Sequence, residues 1–250
     1  MDFVQDSLIP QLQSMSEEFP VLQKPEQYHF PWHCMAWMDD VYFPALLKHY
    51  SDTFSRDHIN RSNAACLRFE LNYFDPNINH FQLLRDSVSV HPFVSFYGHV
   101  LVGQGTVIYP GTVIRGPCII GHNCVIGSQT ELKHVIVCDN THISHQSMIL
   151  DSVIGQNCRI GGRFATVNND QEKAQIPAVN YQDIMVWGGF PDKYGVTIED
   201  NCVVGGNCIT QAGAYMSEGY RLPGSAYLSR TNVVSKMWKG ERVLSRGSDE

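Results

Sequence analysis

The chain has 250 residues, of which 43% are hydrophobic and 17% charged, so it is long enough for a sizeable core and one or two domains. Its formal net charge of −7 argues against a nucleic-acid partner and against contact with an anionic membrane surface. The sequence contains no run of 18 apolar residues, so no membrane span is predicted. The first residues lack the pattern of a secretory signal, so a cytoplasmic protein is expected.

Residues 1–92 contain no repeat and predict a small mixed, partly helical module. The expected elements are a helix over Asp6–Phe19, a loop over Gln23–Trp37, a helix over Asp40–His49, a strand or helix over Ala64–Tyr73, and a turn with a short helical piece over Asn77–Asp86. Because the end of a repeat domain exposes strand edges and core, we expect this module to cover the open end of the adjoining repeat domain.

A period of six residues begins at Phe96 and runs without a gap to Glu131. Each of its six blocks starts with an apolar residue, often continues with glycine, and has a small residue at its fifth position. Such hexads are typical of a parallel β-helix, in which three hexads make one triangular coil. Residues 18 apart should therefore stack, which predicts that Ile108 lies over Ile126.

The repeat continues less regularly after Lys133, with one block a residue short at Ile149–Val153. It is then interrupted by a loop over residues 166–197, which is far longer than a usual connection and is therefore predicted to be functional or disordered. Hexads return at Ile198 and end near Pro223. We assign a β-helix of about four to five coils to residues 93–228 and a tail with a short helix to residues 229–250.

Eight cysteines are present, and no pair of them has the spacing of a zinc site. Five of them occupy the small fifth position of a hexad: Cys118, Cys124, Cys158, Cys202 and Cys208. This pattern predicts buried thiols that serve as small apolar groups, a usage that fits a reducing cytoplasm.

One stretch resembles a known family; it runs from Ile114 to Asp170 and reads IRGPCIIGHNCVIGSQTELKHVIVCDNTHISHQSMILDSVIGQNCRIGGRFATVNND. It resembles the acetyltransferase half of the bifunctional N-acetylglucosamine-1-phosphate uridyltransferase/glucosamine-1-phosphate acetyltransferase, and equally the related archaeal sugar-1-phosphate nucleotidylyltransferases. The similarity covers roughly Phe93–Trp238 and includes irregular features: the LKH step at Leu132–His134, the short block, and the NND at the loop entrance. It implies a left-handed β-helix, a homotrimer, and acetyl-CoA as co-substrate.

His145 matches the family's catalytic histidine, which implies that it is the general base for attack of a sugar amine on the acetyl thioester. Histidine can accept a proton at neutral pH, and a well-placed base contributes on the order of 10²–10⁴ in rate. From the spacing alone, a histidine on an outward hexad position is more often a solvated surface residue.

The resemblance also implies contacts to substrate and cofactor. Arg115 and Lys133 match positions that bind the sugar phosphate; they are 18 residues apart, hence one coil apart, and arginine can hold a phosphate through two parallel hydrogen bonds. The remaining candidates are Asn168 and Asp170 for the substrate at the loop entrance, Lys193 for a further phosphate contact, and Arg230 for the phosphates of coenzyme A.

The sequence departs from the family at several positions. Met148 stands where the family has a substrate-contacting tyrosine, and Arg163 and Phe164 replace small residues beside the expected pocket. The loop is longer than the family's, and residues 1–92 are too short for the pyrophosphorylase half. These differences concern the substrate more than the fold.

Three functions are weighed. A β-helical carbonic anhydrase needs three histidines converging on a metal from stacked coils, and the spacing of His99, His122, His134, His142 and His145 does not provide them. The alternative is a non-catalytic β-helix that serves as an assembly or sugar-nucleotide-binding module, which Met148 and the altered loop support.

The function we expect is transfer of an acetyl group from acetyl-CoA to the amine of an amino-sugar phosphate or nucleotide amino sugar, between the subunits of a homotrimer.

Overall fold

The structure is a computed structural model that describes residues 2–18, 29–46, 82–84, 87–170, 176–182, 184–189, 191–232, 234–236 and 244–245. The expected element over Ala64–Tyr73 lies outside these residues, as does Cys66.

The described chain forms a left-handed parallel β-helix, which confirms the predicted fold. It has about seven coils, more than the four to five expected from the hexads. The difference arises because short strands continue the stack where the hexad pattern is weak, from Gln82–Leu84 to Ala226–Leu228. The first coil therefore includes residues before position 93, which the sequence assigned to the N-terminal module.

Three faces make up the triangular coil. Three strands turn a corner and contribute to two faces: Val113–Ile120, Glu131–Val137 and Met148–Ile154. The first face consists of Gln82–Leu84, Val100–Val102, residues 118–120, 135–137 and 152–154, Val196–Ile198 and Ala214–Met216.

The other two faces are built in the same way. The second face consists of Ser89–Val90, Val107–Ile108, Val125–Ile126, His142–Ile143, Arg159–Ile160, Val203–Val204 and Arg221–Leu222. The third face consists of Ser95–Tyr97, residues 113–115, 131–133 and 148–150, Ala165–Thr166, Ile209–Thr210 and Ala226–Leu228, followed by the antiparallel strands Val234–Lys236 and Leu244–Ser245. The tail thus contains strands at the position where a helix was expected.

The hexad pattern is explained by the interior. Ile108 and Ile126 are fully buried and paired in register, as predicted. The small fifth residues face inward and bind the backbone: Thr106 Oγ1 donates to Gly121 O at 2.8 Å and accepts from Cys124 N at 2.9 Å. The seven described cysteines are free and buried, which confirms their predicted use as small apolar groups.

The N-terminal helices pack along the first face, not over the open end of the β-helix as expected. Their bounds are a π-helical turn Phe3–Leu8, α-helices Ile9–Glu18 and Pro31–Trp37, and a π-helical turn Met38–Tyr42 that continues as helix to residue 46. The helix Pro31–Trp37 lies within the stretch expected to be a loop.

The physical reason for this packing is the outward surface of the first face. Its central positions are apolar and buried in one cluster with the helices: Leu101, Ile119, Ile136 and Val153. An apolar face of this extent must be covered, whereas the outward positions of the second face combine exposed polar residues such as Arg159 with half-buried valines such as Val125.

The long loop leaves the coil after Ala165–Thr166 and returns at Val196–Ile198. It contains an antiparallel hairpin, Val179–Tyr181 with Ile184–Val186. Tyr181 and Tyr194 contact Trp32 edge to face, so the described hairpin lies on the first face beside the helices. In the described part of the chain, no helix is long and apolar enough to cross a membrane.

Candidate active site

His145 lies at a corner between the second and third faces. We call this line of corners, residues 109–111, 127–129, 144–146, 161–163, 205–207 and 223–225, the histidine edge. The side chain of His145 is exposed, and neither ring nitrogen has a hydrogen-bond partner among the described residues. The imidazole is therefore open to a ligand.

Glycines keep the histidine edge bare on the side of the later coils. A Cβ at Gly162 would lie 3.2 Å from His145 Nε2, so only hydrogen at this position leaves the imidazole uncrowded. The stack continues with Gly206 and Gly224, since Asn207 N donates to Gly162 O at 2.7 Å and Ser225 N donates to Gly206 O at 2.8 Å. Coils are about 4.8 Å apart, so this surface without side chains extends roughly 14 Å from His145.

A line of polar side chains borders this surface. Arg163 Nε donates to Gln146 Oε1 at 3.1 Å, and Gln146 Nε2 donates to Gln129 Oε1 at 3.2 Å. Arg163 therefore lies on the outside of the corner. Phe164, expected beside the pocket, is instead fully buried in the coil interior.

Arg115 and Lys133 lie at the opposite end of the third face. We call the corners at residues 115–118, 133–135 and 150–152, with the base of the loop at 167–170 and 193–195, the lysine edge. Arg115 and Lys133 pair in register, as their spacing predicts. Each is already close to a carboxylate: Arg115 Nη1 is 2.9 Å from Glu131 Oε1, and Lys133 Nζ is 3.6 Å from Asp151 Oδ2.

Asn168 reaches the same cluster, because its Nδ2 donates to Asp151 Oδ2. The loop return is tied to it by two backbone bonds, Tyr194 N to Asn168 O at 2.9 Å and Gly195 N to Asp151 O at 2.7 Å. Lys193 precedes this return and is exposed. The structure thus brings Lys133 and Asn168 together. Lys193 directly precedes Tyr194, whose backbone binds that of Asn168.

Sequence reasoning missed Asp151 itself and the two residues that link it to the N-terminal helices, His134 and Asp39. Asp151 Oδ1 is 2.9 Å from His134 Nδ1, and His134 Nε2 is 2.9 Å from Asp39 Oδ2. Burial opposes the charged form of His134, but the hydrogen bonds and charges of Asp151 and Asp39 outweigh it and raise its pKa to about 9. The available signal was the shortened coil, which places His134 and Asp151 17 residues apart instead of 18.

Arg230 and Asp170 form a separate pair, with Arg230 Nη2 3.8 Å from Asp170 Oδ2. The Arg230 side chain is only 10% exposed, and its backbone is held by Gln211 Oε1 and by Asn180 Nδ2 of the hairpin. Its Nε is buried without a hydrogen-bond acceptor among the described residues.

His145 and the cations of the lysine edge are far apart within one chain. Lys133 is in register with Leu150, five residues after His145, which corresponds to a separation on the order of 15 Å across the third face. Met148 lies between the two edges with 41% of its surface exposed. Among the described residues, no group of three or more His, Cys, Asp or Glu side chains is arranged to bind a metal.

Comparisons with known proteins agree with the repeat. Residues 96–182 match the model of the GMPPB C-terminal domain, and residues 195–214 match the hexapeptide repeat of succinyl-transferase. A curated relative, Bifunctional protein GlmU from Methanocaldococcus jannaschii, is 29% identical over 98 residues, which are 33% of this chain and 24% of that protein. The chain therefore spans about a quarter of the length of this relative.

Solved structures with similar coordinates include the acetyltransferase domain of PglB from Neisseria gonorrhoeae FA1090, at 18% identity and a TM-score of 0.32, covering 70% of this chain and 62% of that one. They also include a mutant of GDP-perosamine N-acetyl transferase from Caulobacter crescentus in complex with CoA and GDP-perosamine, at 13% identity and a TM-score of 0.31, covering 67% of this chain and 57% of that one.

The six-residue period, the stacked coils and the family matches confirm the resemblance drawn from the sequence. The chain is a hexapeptide-repeat β-helix protein, similar over its central coils to the GMPPB C-terminal domain.

Proposed function

We propose that this protein transfers an acetyl group from acetyl-CoA to the amine of an amino-sugar phosphate or nucleotide amino sugar. The proposal places the reaction in the cytoplasm, between the subunits of a homotrimer. The observation that carries it is the open imidazole of His145 at the head of the bare glycine surface.

The chemistry needs a base and room for the thioester. As the amine nitrogen attacks the thioester carbonyl, His145 takes the amine proton. The C–S bond then breaks, the protonated His145 returns this proton to the sulfur, and coenzyme A leaves as the thiol. The surface over Gly162, Gly206 and Gly224 offers an extended acyl carrier a path along the coil axis that no side chain of the edge obstructs. No covalent enzyme intermediate is required, which agrees with the burial of the described cysteines.

The lysine edge is proposed to hold the acceptor. The Lys133 side chain is 27% exposed and that of Arg115 is 51% exposed. In the proposal these two bind the phosphate with help from Lys193, while Asn168 and Asp170 orient the sugar. Because both cations already have carboxylate neighbours, a phosphate must compete with Glu131 and Asp151.

Arg230 is proposed to meet a phosphate of coenzyme A. Its Nε is buried and its side chain is 10% exposed, so a phosphate would have to reach the guanidinium through its terminal nitrogens, of which Nη2 lies 3.8 Å from Asp170 Oδ2.

The trimer is supported by the separation of the two edges. A single chain holds His145 and Lys133 on the order of 15 Å apart, so a compact site needs the histidine edge of one copy beside the lysine edge of another. The N-terminal helices cover the first face, which leaves the second and third faces for contact between copies.

The test is coenzyme A release from acetyl-CoA with a panel of amino-sugar phosphates and nucleotide amino sugars, led by glucosamine-1-phosphate. We expect turnover that depends on one acceptor and falls at least about 100-fold in His145→Ala, because the base is lost. His122→Ala is the matched control, since it removes a histidine from a different edge. Turnover by His145→Ala equal to wild type would remove His145 from the mechanism.

A non-catalytic sugar-nucleotide-binding module is the second candidate. The observation that favours it is Met148, which lies 41% exposed between the two edges and has no hydrogen-bonding group where the resembled family has a substrate-contacting tyrosine. Calorimetry with acetyl-CoA distinguishes the two functions, because only the transferase must bind acetyl-CoA. If acetyl-CoA does not bind and no acceptor causes release of coenzyme A, the non-catalytic module is the function that remains.

A further inference from the structure

Two candidates for acceptor binding, Lys133 and Asn168, are held by Asp151, which contacts neither the phosphate nor the acyl group in the proposed reaction. Asp151 has a side chain only 6% exposed, and its Oδ2 contacts both Lys133 and Asn168. A buried carboxylate is costly unless it is paired and hydrogen-bonded, so these contacts are part of what keeps Asp151 charged in place. The position of Asp151 in turn restricts where the ammonium and the amide can stand.

The other oxygen of Asp151 leads away from the site to the N-terminal helices. Oδ1 is 2.9 Å from His134 Nδ1, and the second ring nitrogen of His134 is 2.9 Å from Asp39 Oδ2. Asp39 belongs to the turn Met38–Tyr42, in a part of the chain that contributes nothing to the coils. One continuous line of charged contacts therefore joins the helical segment to the lysine edge.

The coil is shortened by one residue where this line of contacts meets it. His134 and Asp151 occupy stacked corners where the coil is one residue shorter than at Arg115 to Cys118, and both have positive φ. Positive φ also occurs at other corners of the coil, such as Gln129 and Gln146, so the shortened corner, with its contacts from His134 to Asp151 and Asp39, is what distinguishes this place.

We propose that Asp39 acts through His134 and Asp151 as a positioning residue for the acceptor site. The groups it positions are the ammonium of Lys133 and the amide of Asn168, so the N-terminal helices form part of that site. The inference rests on the proposed function, because that function supplies the phosphorylated sugar these groups would bind.

The experiment compares steady-state kinetics of the full chain and its Asp39→Asn variant, with glucosamine-1-phosphate as acceptor unless the panel has identified another. We expect KM for the acceptor to rise about 10-fold, as loss of a charge-assisted contact would produce, with kcat and KM for acetyl-CoA within about twofold of wild type. The matched control is Asp40→Asn, which makes the same charge change at the exposed neighbouring residue and should leave all three constants unchanged.

Two further variants separate positioning from folding. His134→Asn tolerates the left-handed backbone and breaks the same line. Adding Asp39→Asn to it should raise the acceptor KM no further than His134→Asn alone, because Asp39 acts only through His134. Asp39→Glu keeps the carboxylate and should restore most of the acceptor affinity. A purely structural role would lower the melting temperature of Asp39→Asn without raising the acceptor KM selectively.

The outcomes are distinct. An acceptor KM in Asp39→Asn equal to that in Asp40→Asn, with active wild type, overturns the positioning role and leaves the transferase intact. A wild type that releases no coenzyme A with any acceptor overturns the proposed function, and the positioning role falls with it.

Discussion

At the scale of single residues, glycines on the histidine edge have two different roles. The distances from a Cβ added at each glycine to the nearest atoms distinguish these roles. A Cβ at Gly161 would lie 2.5 Å from Gly206 N, which no real packing allows. A Cβ at Gly206 would lie 3.4 Å from Gly162 O, which is tight but tolerable. Gly161 is therefore required by the close approach of coils, whereas Gly206 keeps the surface beside His145 bare.

We expect Gly161→Ala to lower the free energy of unfolding by about 1–3 kcal/mol, because backbone in the next coil must move. Gly206→Ala, its matched control, should change it by less than about 0.5 kcal/mol. Urea unfolding monitored by circular dichroism measures both. Equal stability losses in the two variants would contradict this division.

At the scale of elements, the N-terminal helices are joined to the coils by apolar packing and by the contact of His134 with Asp39. The raised pKa of His134, about 9 against 6.5, means that its contribution to stability is complete below pH 6.5 and is lost as pH rises through 9. The lowered pKa of Asp151 acts in the opposite window, since its contribution is present above about pH 4 and is lost as pH falls further.

Between pH 6.5 and 9.5, we expect the free energy of unfolding of wild type to fall by on the order of 3 kcal/mol relative to that of His134→Asn. The reason is that each pKa unit of difference between the folded and unfolded states corresponds to about 1.4 kcal/mol. The comparison is made by urea unfolding at a series of pH values, and ionisation of buried thiols cancels because both proteins share it. Parallel pH profiles for the two proteins would show that folding does not raise the pKa of His134.

At the scale of the whole molecule, the two edges of the third face constrain how copies would meet in the proposed homotrimer. In a cyclic trimer each contact is heterologous, so one copy can offer its histidine edge while the neighbour offers its lysine edge. His145→Ala and Lys133→Ala should then each remove most activity alone.

Mixed trimers test this arrangement. If each site takes His145 from one copy and Lys133 from the next, random mixing of the two variants should restore about a quarter of the wild-type activity, because one in four contacts joins two intact residues. Activity is measured after co-expression, with the trimer verified by light scattering, and a mixture of His145→Ala with wild type serves as the reference. No recovery above the separate variants would contradict a site shared in this way.

The sequence alone determined the repeat and its local consequences. The period of six indicates the coil, the inward Ile108 and Ile126, the small buried thiols, and the stacking of Arg115 on Lys133. These features depend on residues one coil apart, so a regular spacing is enough to predict them. The break after residue 166 is also predicted by the pattern, because the period stops there.

The tertiary structure alone decided the features that join distant segments. Asp39 contacts His134, which is 95 residues later in the chain. The helices lie on the first face and not over the open end of the β-helix, and Asn180 of the hairpin binds the backbone of Arg230. No periodicity encodes such contacts, because they arise when an apolar face must be covered and the segment that covers it brings its polar groups along. The same packing, through Asp151, decided which groups surround Lys133 and Asn168.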